Sequence, residues 1–262
     1  MKRNLTAVLF SLVSLLTASC SKVVFSNGEP ITETRSIEGR FTAITMYNNV
    51  NVRLVHSDRP HLELTCPKNL IGNIVTELSA TGDTLVIKNE NAFNWIRSYD
   101  YSIDLTVYYD SLREINYAST GDLVCTDSIR GVSLPTTDTT GNGIETLWMH
   151  SFYLNIHEGS GDIDLTLSCE TLKNDFKNGT SKLTLRGQVG YAEHYLRSYG
   201  VIHAETIASN IVSVCNYSVN DLYVRTRSLL IARTYNNGNV YYKGDPTVRM
   251  EIHGEGQVIK LP

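Results

Sequence analysis

Gly121-Asp122-Leu123, Asn142-Gly143-Ile144, Gly161-Asp162-Ile163, Ser181-Lys182-Leu183, Gly200-Val201-Ile202, Asn220-Asp221-Leu222, Gly238-Asn239-Val240 and Gly256-Gln257-Val258 repeat one phrase eight times. A small or turn-forming residue is followed by any residue and then by an aliphatic. The aliphatics are spaced by 21, 19, 20, 19, 20, 18 and 18 residues. A unit this short cannot bury its own apolar face, so it must stack on its neighbours. Alternate inward positions follow the anchor at Cys125, Leu165, Leu185, Ala204 and Val224, the period of a strand with one buried side. The reading is all-β: a parallel β-helix or solenoid of about 18–21 residues per coil. Gly and Asn at the phrase start are expected to form corners, where they tolerate positive φ.

Working outward, residues 40–115 form a β-rich N-terminal part and 116–262 the regular coils of a single solenoid domain. Val50-Asn51-Val52-Arg53-Leu54-Val55-His56, His61-Leu62-Glu63-Leu64-Thr65-Cys66 and Ser102-Ile103-Asp104-Leu105-Thr106-Val107-Tyr108 alternate apolar and polar. Leu70 to Leu78 suits a helix or a strand. Glu90 to Ser98, with Phe93 and Trp95, reads as a surface loop or a short cap. Residues 21–39, polar and containing Gly28 and Pro30, are expected to be a flexible tether.

Lys2 and Arg3 precede the apolar run Ala7 to Leu16, a secretory signal too short to span a bilayer. Leu16-Thr17-Ala18-Ser19-Cys20 resembles a lipobox, which makes residues 1–20 a lipoprotein signal peptide and Cys20 the lipidation site. Cleavage would leave 21 basic residues against 27 acidic, a net charge of about −6. That balance disfavours nucleic acid as a partner. The exported chain is assigned to the outer membrane, with periplasmic and surface faces both open. Cys66, Cys125, Cys169 and Cys215 contain no CxxC pair and are read as buried thiols, although two disulfides are possible by count.

The opening Phe41-Thr42-Ala43-Ile44, then Val50-Asn51-Val52-Arg53-Leu54, Leu62-Glu63-Leu64 and Gly82-Asp83-Thr84-Leu85-Val86-Ile87, together with Gly159-Ser160-Gly161-Asp162-Ile163, resembles the putative auto-transporter adhesin head GIN domain family. The likeness runs over roughly residues 40 to 262. It implies a β-helical exported domain with an adhesion role. The later coils depart from the family phrase at Lys182, Val201 and Gln257.

Nothing in the chain carries a catalytic signature. Asp122 and Asp162 follow corner glycines. With the Gly143 coil between them, their levels would lie roughly 10 Å apart, a separation an inverting glycosidase uses. Asp at a turn more often bonds its own backbone. The histidines, His56, His61, His150, His157, His194, His203 and His253, show no metal-pair spacing and are expected at surfaces or corners. No metal site or cofactor is expected. Tyrosine is in excess, 15 against six phenylalanines, and crowds the later coils among arginines. Tyr217, Tyr223, Arg225, Arg233, Tyr235, Tyr241 and Tyr242 are therefore the candidate binding residues, because Tyr and Arg anchor interfaces and aromatic rings stack on sugars. The bland reading is that tyrosine suits strands. The function expected is a non-catalytic exported adhesion or binding module for a glycan or protein surface ligand. A polysaccharide-active enzyme and an architectural envelope spacer are the alternatives.

Overall fold

The computed structural model describes residues 27–91, 101–138 and 145–262. The signal peptide with Cys20, the Trp95 segment, and Asn142, Gly143 and Ile144 lie outside them. The described chain is all-β, with one short 3-10 turn at Ile71–Asn73, and its strands join into one continuous curled sheet.

The regular part is built from β12 (Ile163–Phe176), β13 (Lys182–Leu196), β14 (Val201–Asn216) and β15 (Leu222–Thr234), each lying parallel to the next. Each contributes two walls to a shared core. In the first wall, Ile163, Leu183, Ile202 and Leu222 are register partners. They continue to Val240 of β16 (Val240–Lys243) and Val258 of β18 (Val258–Lys260). In the second wall, Leu172, Ala192, Val212 and Leu230 align with Val248 of β17 (Thr247–Ile252). Like side chains sit above like, and every member from Ile163 to Val240 and from Leu172 to Leu230 is buried. Each inward Leu or Ile contributes about 1.5–3 kcal/mol of burial free energy.

The expected column is present, with one correction. Ile163 pairs directly with Leu123 of β9 (Leu123–Ile129), so no pass of the chain carrying Ile144 lies between them. Instead, β10 (Val132–Asp138) pairs antiparallel with the start of β11 (Glu145–Gly159), residues 132–138 against 145–151, as the two arms of a hairpin. The rest of β11 then rejoins the second wall between β8 (Glu114–Ser119) and β12. The interval from Leu123 to Ile163 thus covers one pass and this antiparallel excursion, so equal spacing does not by itself mark a stacked pass.

The corner glycines also have a different reason from the one expected. Positive φ occurs at Gly131, Gly159, Gly179, Gly187 and Gly244, not at the phrase glycines 121, 161, 200, 238 and 256. At Gly161 a Cβ would collide with the Gly121 carbonyl of the adjacent pass. The corners need small residues because neighbouring backbones touch there.

The N-terminal strands extend the same walls out of chain order. β2 (Ala43–Asn48) lies between β6 (Thr84–Asn89) and β8, and β3 (Asn51–His56) lies between β7 (Asp104–Tyr109) and β9. This end closes with antiparallel strands. β4 (His61–Pro67) pairs with β7, and β5 (Ile74–Leu78) with β6. The Leu70–Leu78 ambiguity resolves as a 3-10 turn followed by β5. Pro30–Ser36, expected within the flexible tether, is strand β1 on the edge of β4. Arg35 locks it by donating to the carbonyls of Ile74 at 2.5 Å and Ile71 at 3.0 Å. A polar composition suggested a tether because β1 is exposed on the outside of the sheet.

Candidate functional site

The corner aspartates are engaged with the backbone. Asp122 N–H donates to Asn51 Oδ1 at 3.0 Å, and Asp162 N–H donates to Asp122 Oδ1 at 2.8 Å. The same step recurs later: Asn239 N–H to Asp221 Oδ1 at 2.8 Å and Gln257 N–H to Asn239 Oδ1 at 2.9 Å. Lys182 and Val201 occupy the steps between. Asp122 and Asp162 are thus on adjacent passes, not two apart, and their levels are separated by roughly 4.8 Å. The shallow cleft beside them, about 440 Å³, also holds Asp164, ion-paired with Arg186, and Glu205, 3.2 Å from His203. Asp122 and Asp221 each accept the N–H of the next pass on one carboxylate oxygen, a structural ladder step of the kind turn carboxylates form.

The seven tyrosine and arginine candidates do not converge. Tyr223, Arg225 and Tyr241 project from the first wall. Tyr217, Arg233 and Tyr235 belong to the second wall and the bend after it. Tyr242 faces inward, level with Val224, and packs against the core. Two ring columns result. His203, Tyr223 and Tyr241 stack at centroid distances of 5.0 Å per step. Tyr217, Tyr235 and His253 stack at 4.2 and 4.8 Å. The faces of Tyr223 and Tyr235 are therefore covered by their neighbours, leaving ring edges and hydroxyls outward. Arg233 Nε lies 3.2 Å from Glu251.

A groove of about 450 Å³ opens at the bend between the two walls. Its surface is formed by Arg130, His150, Glu170, Gln188, Asn210 and Arg227, above a base of small residues including Gly190 and Ala208. The hairpin starts and ends here, so Arg130 and His150 form its rim. Glu170 is held by His150, whose backbone N–H donates to Oε2 at 2.6 Å. Arg130 and Arg227 have no ion-pair partner among the described residues. They stand four levels apart by register, roughly 19 Å along the groove. Repeat phrases could not reveal this feature, because it lies where the repeat is interrupted. The signal for it is the distance from Leu123 to Ile163, twice the repeat.

Two expectations about titratable residues separate. Cys66, Cys125, Cys169 and Cys215 are free and buried, as the simpler reading held. Burial pushes the thiols of Cys66 and Cys125 up to about 11 and that of Cys169 up to about 12. His194, expected at a surface, is in the core at 1% exposure, where burial pushes it down to about 4. Its ring nitrogens and the amide of its register neighbour Asn174 have no hydrogen-bond partner among the described residues. No group of three or more His, Cys, Asp or Glu side chains suited to a metal occurs among the described residues. No helix there is long and apolar enough to cross a membrane.

A family model described as "Putative auto-transporter adhesin, head GIN domain" matches residues 40–246. No curated protein matches the chain. Among solved structures, a putative adhesin from Bacteroides fragilis superposes with a TM-score of 0.74 at 18% identity, over 89% of this chain and 97% of that one. A putative adhesin from Parabacteroides distasonis gives a TM-score of 0.60 at 16% identity, over 89% and 98%. A putative lipid binding protein from the same species gives 0.59 at 19% identity, over 90% and 98%. At these identities the likeness is one of fold.

Proposed function

We propose a non-catalytic, exported binding role in the bacterial cell envelope for this chain, which belongs to the putative auto-transporter adhesin head GIN domain family. The observation that carries the reading is the groove at the bend between the walls, with Arg130 and Arg227 at its two ends and free of ion-pair partners among the described residues. Its length suits an extended ligand, and its unpaired guanidiniums suit an anionic one, such as an acidic glycan. The outward ring edges of Tyr217, Tyr223, Tyr235 and Tyr241, with Arg225 and Arg233, form a secondary contact region. Tyr242 serves the core.

The fold that goes with this role is a parallel β-helix. In-register parallel pairing from Leu123 to Val258 supports it. An experimental structure lacking that column would overturn it. The chain is anchored by a lipid at Cys20 in the outer membrane, a placement that rests on the N-terminal sequence.

The test is a glycan array with the purified protein, paired with protease treatment of intact cells. Binding of acidic glycans that falls at least tenfold with Arg130→Ala and Arg227→Ala supports the groove. Binding lost instead through Tyr217→Ala and Tyr235→Ala moves the site to the aromatic column. Release of cleaved saccharide overturns the non-catalytic reading. Removal of the protein by external protease places it on the cell surface.

A further inference from the structure

The two ends of the sheet are finished differently. At the N-terminal end, antiparallel strands β1, β4 and β5 close the walls. At the other end, β17 pairs with β15 along one edge, and no strand pairs with its other edge among the described residues. Val248, Met250 and Ile252 occupy the register positions of Leu230, Ala232 and Thr234, all of which are buried. Met250 is nevertheless 58% exposed and Ile252 50%. They point where the core would continue, and among the described residues no strand of the second wall covers them, although β18 carries the first wall one level beyond β16. Edge strands are ordinarily protected by lysine, proline or a bulge. Thr247–Ile252 contains no lysine or proline, and its pairing with β15 is unbroken.

The order of residues along this edge says what fits it. Val248-Arg249-Met250-Glu251-Ile252 is apolar at both ends and in the middle, with opposite charges placed symmetrically about Met250. An antiparallel copy of the same strand, related by a two-fold axis at Met250, sets Arg249 opposite Glu251 of the other copy, twice. Val248 then faces Ile252, and Met250 faces Met250. A parallel copy in the same register would instead place like charges opposite one another, which is unfavourable. Arg249 has no ion-pair partner among the described residues, and Glu251 remains 54% exposed beside Arg233.

We propose that this end docks a second copy of the chain, β17 against β17, forming an isologous end-to-end dimer in which one sheet runs through both protomers. The contact buries Met250 and Ile252 and supplies main-chain partners to the open edge.

The two-fold makes a sharp test. Directly opposed residues of an antiparallel pair have Cα atoms about 4.5–5.5 Å apart, within disulfide range. The native described cysteines are buried and give no background. Met250→Cys in the full chain, expressed in cells and mildly oxidised, is expected to migrate as a dimer on a non-reducing gel. Thr247→Cys, which lies away from the axis, is expected to remain a monomer. Adding Arg249→Glu to Met250→Cys is expected to lower cross-linking at least fivefold. Adding Glu251→Arg as well should restore it, which a merely misfolded variant would not do. The unaltered protein should show concentration-dependent dimerisation by sedimentation. A monomer at all concentrations, equal cross-linking at Met250→Cys and Thr247→Cys, indifference to charge reversal, or a cross-link to a different protein would each overturn the proposal.

Discussion

Asp162 donates its backbone N–H to Oδ1 of Asp122 across 2.8 Å, joining two residues 40 positions apart in sequence. That one bond identifies neighbouring passes of the chain, with no pass between them, and gives the Asp122 carboxylate a structural role at the corner. Replacing Asp122 with Ala should cost about 1 kcal/mol of stability, whereas Asp122→Asn, which keeps the acceptor, should be within a few tenths. Urea unfolding measures both. Equal losses for the two variants would mean that the charge, not the acceptor, matters at this corner.

Tyr235 lies between Tyr217 and His253, with both ring faces covered. Two stacked cross-strand contacts of about 0.5–1 kcal/mol each predict a loss of about 1–2 kcal/mol for Tyr235→Ala. Tyr235→Phe should be close to neutral. Thermal unfolding reads the difference, and an unchanged midpoint for the alanine variant would assign the column no structural role.

Gly161 and Gly82 are glycines for different reasons, and substitution should separate them. At Gly161 the obstacle is the Gly121 carbonyl, so Gly161→Ala must push two passes apart, with an expected cost of about 3 kcal/mol or more. Gly82 has φ of +77° and open space around it, so Gly82→Ala should cost only about 1–2 kcal/mol of backbone strain. Matched costs in denaturant titrations would contradict the close-contact explanation of the corners.

His194 makes stability depend on pH. It is neutral in the folded core, where it titrates near 4, against 6.5 when exposed. Between those values the unfolded chain takes up a proton that the folded chain refuses. The His194 contribution is therefore fully retained above about pH 6.5 and is lost as pH falls toward 4. The full loss is about 3 kcal/mol. His194→Leu should flatten that part of the profile in chemical denaturation. An unchanged slope would place the titration elsewhere.

Much of the fold is legible in the residues themselves. The inward column from Ile163 to Val258 follows from aliphatics at even spacing, and the alternation in Val50–His56 and Ser102–Tyr108 marks strands that are present. The buried cysteines were also readable, since a small apolar thiol in a strand needs no partner. The candidate site was less accessible. Tyr223 and Tyr235 are near in sequence but belong to opposite walls of one pass, and composition cannot assign a wall. His194 sits at an inward position of β13, but the inward phase shifts at the bend, from Leu183, Leu185 and Val189 to Ala192, His194 and Leu196, so alternation carried on from Leu183 points it outward.

The local pattern by itself determined that this chain must form strands with one apolar side, about one turn of wall per 20 residues, because burial of that side depends only on residues two apart. Tertiary structure alone decided which passes touch. Leu123 meets Ile163 although a hairpin lies between them in the chain, β2 and β3 slip between strands that follow them in the chain, and the groove from Arg130 to Arg227 arises at that interruption. Each of these is a pairing between distant segments, chosen by how backbones and core side chains fit together, and equal spacing cannot distinguish a stacked pass from an antiparallel excursion.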